Sequence, residues 1–477
     1  MRSPSDGPTA IVLAAGAGSR FGGGKLLASL DGRPILQHVL DTLAATGLDD
    51  VVVVLGSDAG AVEAAISWRV ERRVVNPAPD RGLSSSVQIG IRALKPSASS
   101  TLIVLGDQPR VSVDTIRALV AAAPGASRPI VVPRYADDLG RNPVLLRRSA
   151  FGLIAEATGD RGLGPVLAAH PDLVHEVAVD GANPDMDTRA DLAALAESAW
   201  GGRVRANRDQ VDRIREVPDG TDFYAPVRSM FRADPTRTDD PVLAALLALV
   251  KPGDTWLDVG AGAGRFALPI ALALAPTGGS VIALDASASM LEAAREIAAE
   301  HGIENLLTIE ARWPMGDAAT STALGVGPAA VDVALIAHVG YDVEAIGPFI
   351  DAMESAARRA LVAVLMDQMP ASAADAFWPP VHGEARTRLP ALTDFVDLLR
   401  ARGRAPIIQR VTDERRRFDS REAVEAFVRR QLWIDPSGPK EARFQAALQD
   451  LAIPDGDGWT IRGRGPVDIG IVRWTAS

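Results

Sequence analysis

Hydrophobic residues recur along this chain in two alternating patterns. Short runs of β-branched and aliphatic residues, which are typical of buried strands, alternate with alanine- and leucine-rich stretches that have helical spacing. In the first part of the chain the pattern predicts strands over 51–55, 101–105 and 129–133 and helices over 35–45, 59–66 and 113–122. This alternation predicts a mostly parallel sheet covered by helices, with ligands at the carboxyl ends of the strands.

A second alternation of the same kind begins near Thr255. A strand there leads into a glycine-rich loop and a helix over 265–275, and further strands are predicted over 280–284, 306–309 and 331–337. No internal repeat links the two halves. The predicted fold class is therefore α/β, with two Rossmann-like domains, each a mostly parallel sheet covered by helices on both faces.

Charged residues dominate the stretch between the two alternations. Arginine, aspartate and glutamate are frequent after residue 200, and Pro218-Asp219-Gly220 follows them. Such a run is typical of a solvated helix face or a linker, with a docking surface as the alternative. Because 477 residues suit two or three domains, we predict a first domain over 1–196, a charged linker or lead-in over 197–240, and a second domain over 241–477 that ends in a substrate or lid region.

Composition narrows the classes of function. The net charge of −10 argues against a general nucleic-acid binder, and the absence of cysteine excludes disulfides, zinc–thiolate sites and a thiol nucleophile. The amino terminus lacks an apolar signal core, and the longest apolar runs are shorter than the roughly 20 residues that span a bilayer. We therefore expect a cytoplasmic protein without membrane or nucleic-acid partners.

Residues 11–25 carry the strongest chemical signal. An apolar strand breaks there into a glycine-rich loop that contains Arg20 and Lys25. Glycines let backbone N–H groups approach phosphate oxygens, and the two cations neutralise phosphate charge. A Walker P-loop is excluded, because Leu26 follows the lysine where that motif needs Ser or Thr and Ser19 stands where it needs Gly. The loop predicts a nucleoside triphosphate site of another kind.

This loop resembles the signature of the nucleotidyltransferases that activate cofactors and sugars. The resemblance is strongest to the MobA-like molybdenum cofactor cytidylyltransferases, whose loop reads Leu-Ala-Ala-Gly, then Arg, then Lys. Further matches follow in the expected order over about 180 residues: Asn76-Pro77, Gly82 to Ser86, Gly106-Asp107-Gln108-Pro109, Gly140 to Leu145 and Asp185-Met186-Asp187-Thr188.

The resemblance implies roles for the matched residues. Arg20 and Lys25 would hold the triphosphate and stabilise departing pyrophosphate, with Asp107 as the third catalytic residue. Asp107 and Asp187 would hold Mg²⁺, and Asp185 is a weaker candidate for that pair. The nucleotide-binding residues it implies are Leu13, Ala14, Ala15, Gly16, Gly82, Ser84 and Ser85. For Asp187 and for the serines, a helix cap is the structural alternative.

The substrates also follow from the resemblance. Guanylyltransferases of this kind carry Ala-Gly-Gly where this chain has Ala14-Ala15-Gly16, which favours CTP. The resemblance then implies molybdopterin as acceptor and a molybdoenzyme apoprotein as a protein partner. The chain departs from the family pattern Gly-Asp-x-Gly-Ala-Arg at Gly164, although Arg161 lies nearby. GTP, a sugar or alcohol phosphate acceptor, and a half that only binds or docks therefore remain alternatives.

The second glycine loop, Gly260-Ala261-Gly262-Ala263-Gly264, opens a nucleotide-type unit. The helix start offers N–H groups, and an acidic residue after the next strand can hold ribose hydroxyls. A dinucleotide fingerprint needs glycine where Arg265 stands. The loop resembles motif I of class I S-adenosylmethionine-dependent methyltransferases, which implies cofactor binding by Asp258, Gly260, Gly262, Gly264, Asp285, Glu310 and His338.

Three residues are candidates for the substrate side of this second site. They are His338, Tyr341 and Trp313, and for each of them packing is the alternative to a role in the reaction. The amphipathic stretch 418–432 is expected to form core or lid. The methyl acceptor does not follow from the sequence.

Overall fold

The structure, a computed structural model, describes residues 7–16, 18–136, 140–217, 232–316, 318–413 and 417–475. The chain divides into two compact units, Met1–Ala194 and Leu195–Ser477. Each unit is built on a seven-stranded sheet. This confirms the predicted α/β fold class with two mostly parallel sheets.

The elements of the first unit follow the predicted alternation. Its strands are β1 (Thr9–Ala14), β2 (Ser29–Leu30), β3 (Arg33–Pro34), β4 (Val51–Leu55), β5 (Arg72–Val75), β6 (Ser100–Leu105), β7 (Ile130–Arg134), β8 (Val144–Arg147) and β9 (Val174–Ala178). Its helices are α1 (Ile35–Thr46), α2 (Ala59–Ala65), α3 (Leu83–Arg92), α4 (Val113–Ala122) and α5 (Gly164–Ala169), and α6 (Arg189–Ile214) follows. The predicted strands and helices of this part agree with these bounds to within a residue or two.

The sheet of the first unit has the order β5-β4-β1-β6-β8-β7-β9. β1 runs parallel to β4 and β6, and Leu13 is in register with Leu105. β8 runs antiparallel between β6 and β7, so the sheet is mixed on that side. Because β1 and β6 are parallel neighbours, the residues that follow them meet at one edge of the sheet.

Both faces of this sheet are buried. On one face Val12 and Val53 belong to a core that includes residues of α1 and α4, and on the other face Ile11 and Val54 pack with Val87 of α3. A strand buried on both faces has no polar side to alternate with its apolar side. This explains why β4 consists only of valine and leucine.

The second unit repeats this architecture with more helices. Its strands are β10 (Thr255–Val259), β11 (Ser280–Asp285), β12 (Leu306–Glu310), β13 (Val331–Ala337), β14 (Ala357–Met366), β15 (Ile407–Asp413), β16 (Ala452–Asp455), β17 (Gly458–Ile461) and β18 (Val467–Trp474). Its helices after α6 are α7 (Pro241–Leu247), α8 (Ala267–Leu274), α9 (Ala288–Glu300), α10 (Ala318–Ala323), α11 (Ile346–Ala356), α12 (Trp378–His382), α13 (Leu392–Ala401), α14 (Arg421–Gln431) and α15 (Glu441–Leu451).

The order of the second sheet is β12-β11-β10-β13-β14-β18-β15. The first five strands in this order run parallel, and β18 is antiparallel to both of its neighbours. The register pairs Met366 with Ile469, so β14 ends where β18 begins. The carboxyl ends of β10 to β14 and the start of β18 therefore share one edge of the sheet.

A separate apolar core lies in the C-terminal part of the second unit. It joins Phe377, Val424, Val428, Phe444 and Leu448, which come from α14, α15 and the segment before α12. The stretch predicted over 418–432 contains α14, and its apolar residues pack into this core. This agrees with the expectation that the stretch forms core or lid.

The charged segment predicted as a linker over 197–240 begins inside a helix. Residues 197–214 are part of α6, and the second unit starts at Leu195. Trp200 and Val204 are buried in the core of the second unit, and Trp200 Nε1 donates to Val343 O at 2.9 Å. The prediction of a linker is therefore wrong for 197–214, because apolar side chains at helical spacing anchor the charged helix. Residues 218–231 lie outside the described part of the chain.

Within the described ranges, none of the helices combines the length and the apolar character needed to cross a bilayer.

Candidate functional sites

The loop after β1 is closed by its own backbone. The N–H groups of Phe21 and Gly23 donate to Gly18 O at 2.9 and 3.1 Å. Phe21 is buried and anchors the loop, whereas the side chain of Arg20 is 81% exposed. The loop thus presents Arg20 to solvent and ends at Lys25, which is buried.

Lys25 is the centre of an ion-pair cluster at the carboxyl ends of β1 and β6. Its Nζ donates to Asp107 Oδ2 at 2.5 Å and to Asp187 Oδ1 at 3.1 Å. Arg20 Nη1 lies 3.9 Å from Asp187 Oδ2. The fold therefore brings together the four residues for which the sequence predicts catalytic and metal-binding roles.

The carboxylates of this cluster stabilise the charged form of Lys25. Burial by itself would lower the pKa of Lys25, but the charges and hydrogen bonds of Asp107 and Asp187 outweigh it and raise the pKa above its usual value. Lys25 is therefore an ammonium ion at neutral pH. Asp185 lies next to the cluster, and desolvation together with the negative charge of Asp107 raises its pKa. Asp185 makes its hydrogen bond to Gln108 Nε2, at 2.7 Å, and not to Lys25.

The two carboxylates around Lys25 fit a divalent cation that arrives with its substrate. Among the described residues no group of three or more His, Cys, Asp or Glu side chains is arranged to hold a metal ion. Asp107 and Asp187 nevertheless converge on one positive charge, the Lys25 ammonium. Mg²⁺ commonly takes one or two carboxylates, keeps several waters and completes its shell with substrate phosphates. The residues present therefore fit Mg²⁺ bound together with a triphosphate.

Sequence reasoning missed the residues that position Asp185 and Asp187. Asn183 Nδ2 donates to Gln108 Oε1 at 3.0 Å, and Gln108 Nε2 donates to Asn183 O at 3.2 Å. The N–H of Met186 donates to Asp107 O at 3.3 Å. These bonds dock residues 183–187 on the turn after β6. Gln108 lies inside a recognisable motif, but Asn183 carries no periodic or spacing signal.

The serines at the start of α3 make hydrogen bonds within the protein. Asn76 Nδ2 donates to Ser85 Oγ at 2.8 Å and to Ser86 Oγ at 2.9 Å, and Ser85 Oγ donates to Gly82 O at 2.8 Å. Ser84 and Ser85 are buried. Ser85 Oγ thus bonds within the protein, but α3 begins after Gly82 without a hydrogen bond from a capping side chain. Nucleotide binding by these serines stays a prediction.

Gly82 lets another loop approach α3 closely. Its φ is +90°, and a Cβ at this position would lie 2.5 Å from Gly159 C. Any larger residue would be strained and would collide with backbone. The contact holds residues 159–162 against the start of α3 and places Arg161 beside that helix.

A cavity of about 500 Å³ lies between α3 and the sheet of the first unit. Its apolar walls include Leu13 and Leu105, which directly precede the glycine loop and the Gly106-Asp107 turn. Its polar lining comprises Arg134, Arg141, Asn142, Arg161 and Glu176. The cavity combines apolar walls with guanidinium groups, which suits an organic molecule with an anionic group.

In the second unit the carboxylate of Asp285 organises the glycine loop. Gly262 N–H donates to Asp285 Oδ2 and Ser287 N–H donates to Asp285 Oδ1, both at 2.8 Å. Gly260 N–H donates to Leu284 O at 2.7 Å. The predicted loop and the predicted acidic residue thus meet at the carboxyl ends of β10 and β11. Gly264 closes the loop before α8.

Gly260 allows the end of β13 to approach the loop. Its φ is +73°, and a Cβ there would lie 2.5 Å from Val339 Cγ2. Val339 follows His338, which itself has a φ of +58°. Because a side chain at position 260 would force this contact apart, the glycine brings the loop next to His338.

Two buried polar atoms lie near the glycine loop without hydrogen-bond partners among the described residues. They are Asp258 Oδ1 and His338 Nδ1. Burial, reinforced by the charge of Asp285, raises the pKa of Asp258 to about 7, and burial with the charge of Arg265 lowers the pKa of His338 to about 4. Buried polar atoms are costly unless a ligand or water bonds to them. The residues therefore fit a polar cofactor such as S-adenosylmethionine.

The other predicted residues of this site are divided between its edge and the core. Glu310 ends β12, is exposed, and is in register with Asp285 on the neighbouring strand. Trp313 Nε1 donates to Phe349 O at 3.2 Å, and Tyr341 Oη accepts from Met366 N–H at 2.7 Å. Both aromatic candidates thus make internal hydrogen bonds, as their packing alternative requires.

Comparisons with known proteins agree with two separate domains. A family model described as a MobA-like NTP transferase domain matches residues 10–174, and one described as a methyltransferase domain matches residues 250–339. A nicotine blue oxidoreductase from Paenarthrobacter nicotinovorans is 36% identical over 163 residues, which covers 34% of this chain and 74% of that protein.

Two further similarities differ in how much of the other protein they cover. A bifunctional protein GlmU from Methylibium petroleiphilum is 34% identical over 140 residues, so that the match spans 28% of this chain and only 30% of that protein. A crystal structure of Rv0371c from Mycobacterium tuberculosis in complex with manganese is 34% identical and covers 40% of this chain and 99% of its own, with a TM-score of 0.36.

Removing the Lys25 ammonium should make the carboxylate pair more receptive to a metal ion. In Lys25→Met, we expect Mn²⁺ without nucleotide to raise the melting temperature of the first unit more than in the wild type, because no internal cation competes. A gain of about 1 kcal/mol in the free energy of Mn²⁺ binding corresponds to a rise of roughly 2–4 °C in the melting temperature. Arg33→Met, which breaks the exposed pair of Arg33 with Asp41, is the control. Equal Mn²⁺ shifts in all three proteins would contradict the assignment of the pair.

The buried Asp258 predicts a pH-dependent stability of the second unit. Its pKa of about 7 in the folded protein exceeds the value of roughly 4 expected when unfolded, so the folded state holds a proton that the unfolded state loses between these pH values. The free energy of unfolding should therefore fall as pH rises from about 4 to about 7. Above pH 7 we expect Asp258→Asn to be more stable than the wild type, by on the order of 3 kcal/mol.

Thermal unfolding at pH 5 and pH 8 measures this difference. Asp332→Asn is the control, because the hydrogen bond from Arg358 lowers the pKa of Asp332 and that substitution should lose stability at pH 8. A gain for Asp258→Asn that is the same at both pH values would show that Asp258 does not titrate as described.

Proposed function

The first unit belongs to the MobA-like NTP transferase family and the second contains a methyltransferase domain, and from this we propose that the chain joins two group-transfer enzymes. The first would transfer CMP from CTP to molybdopterin with release of pyrophosphate. The second would transfer the methyl group of S-adenosylmethionine to a separate acceptor.

The observation that carries the first proposal is the position of Lys25. Its ammonium is held between Asp107 and Asp187 at the carboxyl ends of two central parallel strands, and Arg20 Nη1 lies 3.9 Å from Asp187 Oδ2. Nucleotidyl transfer brings one phosphate group onto another, so its main obstacle is negative charge. The two cations would neutralise phosphate charge, the two carboxylates would hold a metal ion, and the cavity of this unit would take the acceptor.

The cavity in the first unit supports an anionic acceptor with a ring system. Its apolar walls can pack against a flat heterocycle, and Arg141 and Arg161 can hold a phosphate. Molybdopterin combines a pterin with a phosphate and therefore suits this lining. Arg161 also offers a replacement for the arginine that the family pattern places at position 164. Arg141 Nη2 lies 3.4 Å from Glu176 Oε1, so one of the guanidinium groups is already oriented.

In the proposed reaction an oxygen of the acceptor phosphate attacks the α-phosphorus of CTP. A new P–O bond forms, the bond from the α-phosphorus to the bridging oxygen breaks, and pyrophosphate leaves with the electron pair. Lys25 and Arg20 would neutralise charge on the departing pyrophosphate, and Ala14 to Gly16 would lie along the nucleotide. Mg²⁺, held by Asp107 and Asp187, would neutralise further phosphate charge when bound.

In the second unit the glycine loop and Asp285 would bind S-adenosylmethionine. Asp258 Oδ1 offers a buried acceptor to an N–H group of the cofactor. Asp285 and Glu310, at the ends of neighbouring strands, would face the ribose and the adenine. His338 would complete the pocket at the end of β13.

The name of one relative shows that the reaction of the first unit has to be tested by experiment. A curated relative of similar sequence is named an oxidoreductase, and a shared fold does not fix the reaction. Transfer from GTP, transfer to a sugar or alcohol phosphate, and docking to a molybdoenzyme apoprotein are the other outcomes.

The direct test is pyrophosphate release by the purified chain with Mg²⁺, molybdopterin and each of CTP, GTP, ATP and UTP. Release with CTP alone supports the proposal, and release with none contradicts it.

Asp107→Asn should abolish nucleotidyl transfer. The substitution removes one of the two negative charges that face the cation site but keeps the size of the side chain, so we expect pyrophosphate release to fall by about 100-fold or more while the fold is retained. Asp49→Asn, at an exposed residue before β4, is the control. Turnover of Asp107→Asn at the wild-type rate would remove Asp107 from the site.

Asp285→Ala should weaken the binding of S-adenosylmethionine without affecting the use of CTP. The carboxylate both orders the glycine loop through Gly262 and would accept hydrogen bonds from the ribose, so calorimetry should show affinity reduced by about tenfold or more. Glu304→Gln, at an exposed residue ahead of β12, should bind as the wild type does. Unchanged affinity of Asp285→Ala would contradict the ribose assignment.

A further inference from the structure

The charged helix α6 turns one buried stripe toward the second unit. From residue 195 onward the helix belongs to this unit, and its buried side chains recur at intervals of three or four residues, which places them on one face. They are Trp200, Val204, Asn207, Gln210 and Ile214. Trp200 and Val204 pack in the core beside the sheet, and Ile214 packs in the C-terminal core. The helix thus joins the two cores of this unit.

Trp200 holds the loop that follows β13, residues 338–344. Its indole is buried, and its Nε1 donates to Val343 O at 2.9 Å. One residue further along α6, a Cβ at Gly201 would lie 3.0 Å from Glu344 O. A larger residue would press on this carbonyl, so the glycine lets the loop lie directly against the helix. The end of the loop is therefore fixed by a hydrogen bond and by close packing.

Two arginines of α6 hold the side chain at the end of this loop. Arg205 Nη1 donates to Glu344 Oε1 at 2.7 Å, and Arg208 Nη1 donates to Glu344 Oε2 at 2.8 Å. These hydrogen bonds lower the pKa of Glu344, so its carboxylate is ionised at neutral pH. One exposed ion pair stabilises little, but here each carboxylate oxygen has its own guanidinium partner. The carboxylate is therefore oriented by the helix.

The other end of the same loop lies at the proposed cofactor site. His338 N–H donates to Val364 O at 2.8 Å, and Val339 lies against Gly260 of the glycine loop. A short loop that is anchored at both ends has few conformations open to it. The contacts that α6 makes at one end of this loop therefore restrict the residues at its other end, beside the glycine loop.

We propose that α6 positions the loop 338–344 at the methyl-transfer site. Its positioning residues are Trp200, Arg205 and Arg208, which act through the end of the loop and not through contact with the cofactor. The proposal rests on the proposed methyltransferase function. A loop that is ordered before the cofactor arrives loses less conformational entropy on binding, which strengthens binding. The charged run after residue 200 is therefore part of the functional unit, although it lies outside residues 250–339, which match the methyltransferase family model.

A positioning role and a purely structural role of α6 differ in what they change. If α6 only stabilises the unit, its variants lower the melting temperature but leave the affinity of the folded protein for S-adenosylmethionine unchanged. If α6 positions the loop, the folded variants bind the cofactor more weakly, because the loop then has to be ordered on binding. Hydrogen exchange adds a local readout, since the amides of a less ordered loop exchange faster.

The test measures the affinity of the full chain for S-adenosylmethionine by calorimetry and the hydrogen exchange of residues 338–344 by mass spectrometry. Trp200→Phe keeps an aromatic ring but removes the Nε1 donor, and Arg205→Gln combined with Arg208→Gln removes both cations. Each of these proteins should bind the cofactor about fivefold or more weakly than the wild type and exchange faster over the loop. Arg205→Lys combined with Arg208→Lys keeps both charges and should recover most of the affinity.

Arg213→Gln is the matched control on the same helix. Arg213 Nη2 donates to Glu384 Oε1 at 2.7 Å, outside the loop, so this variant should bind and exchange as the wild type does. If the wild type does not bind S-adenosylmethionine, the methyltransferase proposal fails and this inference fails with it. If the wild type binds and the folded Trp200→Phe and double glutamine variants bind equally well, the positioning role is overturned. It is also overturned if Arg213→Gln weakens binding as much as they do.

Discussion

The ammonium of Lys25, held between the carboxylates of Asp107 and Asp187, is the interaction on which the proposed chemistry of the first unit depends. It joins a glycine loop, the turn after β6 and a distant segment near residue 187, and it keeps two like charges close together in a partly buried place. Without a cation between them, the two carboxylates would repel each other. In the proposed reaction a metal ion would replace this internal cation, and Lys25 would turn to the phosphates.

In the second unit, backbone hydrogen bonds and close packing order the glycine loop. Its glycine loop is ordered by the backbone hydrogen bonds of Asp285 and by the close approach of Val339 to Gly260. Asp258 and His338 then keep buried polar atoms without partners near the loop. The loop is thus ordered in advance, and in the proposed function a polar cofactor would bond to these buried atoms.

Motifs at strand ends were predictable because topology alone brings them together. Lys25 and Asp107 follow from the glycine loop and from the carboxyl end of a parallel strand. The same reasoning places Gly260 beside Asp285. Asp187 does not end a strand, and its role was predicted from the family resemblance. What spacing does not reveal is contact between segments of irregular structure. The amide pair of Gln108 and Asn183 depends on packing that has no period. A linker was predicted where α6 lies because charged residues outnumber the few residues that anchor this helix, among them Trp200.

The measurement that tests the central claim most directly is a crystal structure of the full chain with Mn²⁺ and CTP, with the metal located by its anomalous scattering. The account predicts a Mn²⁺ peak between Asp107 and Asp187, and Lys25 Nζ moved from these carboxylates to the phosphates of CTP. A structure in which Lys25 keeps both carboxylate bonds and Mn²⁺ binds elsewhere would contradict it.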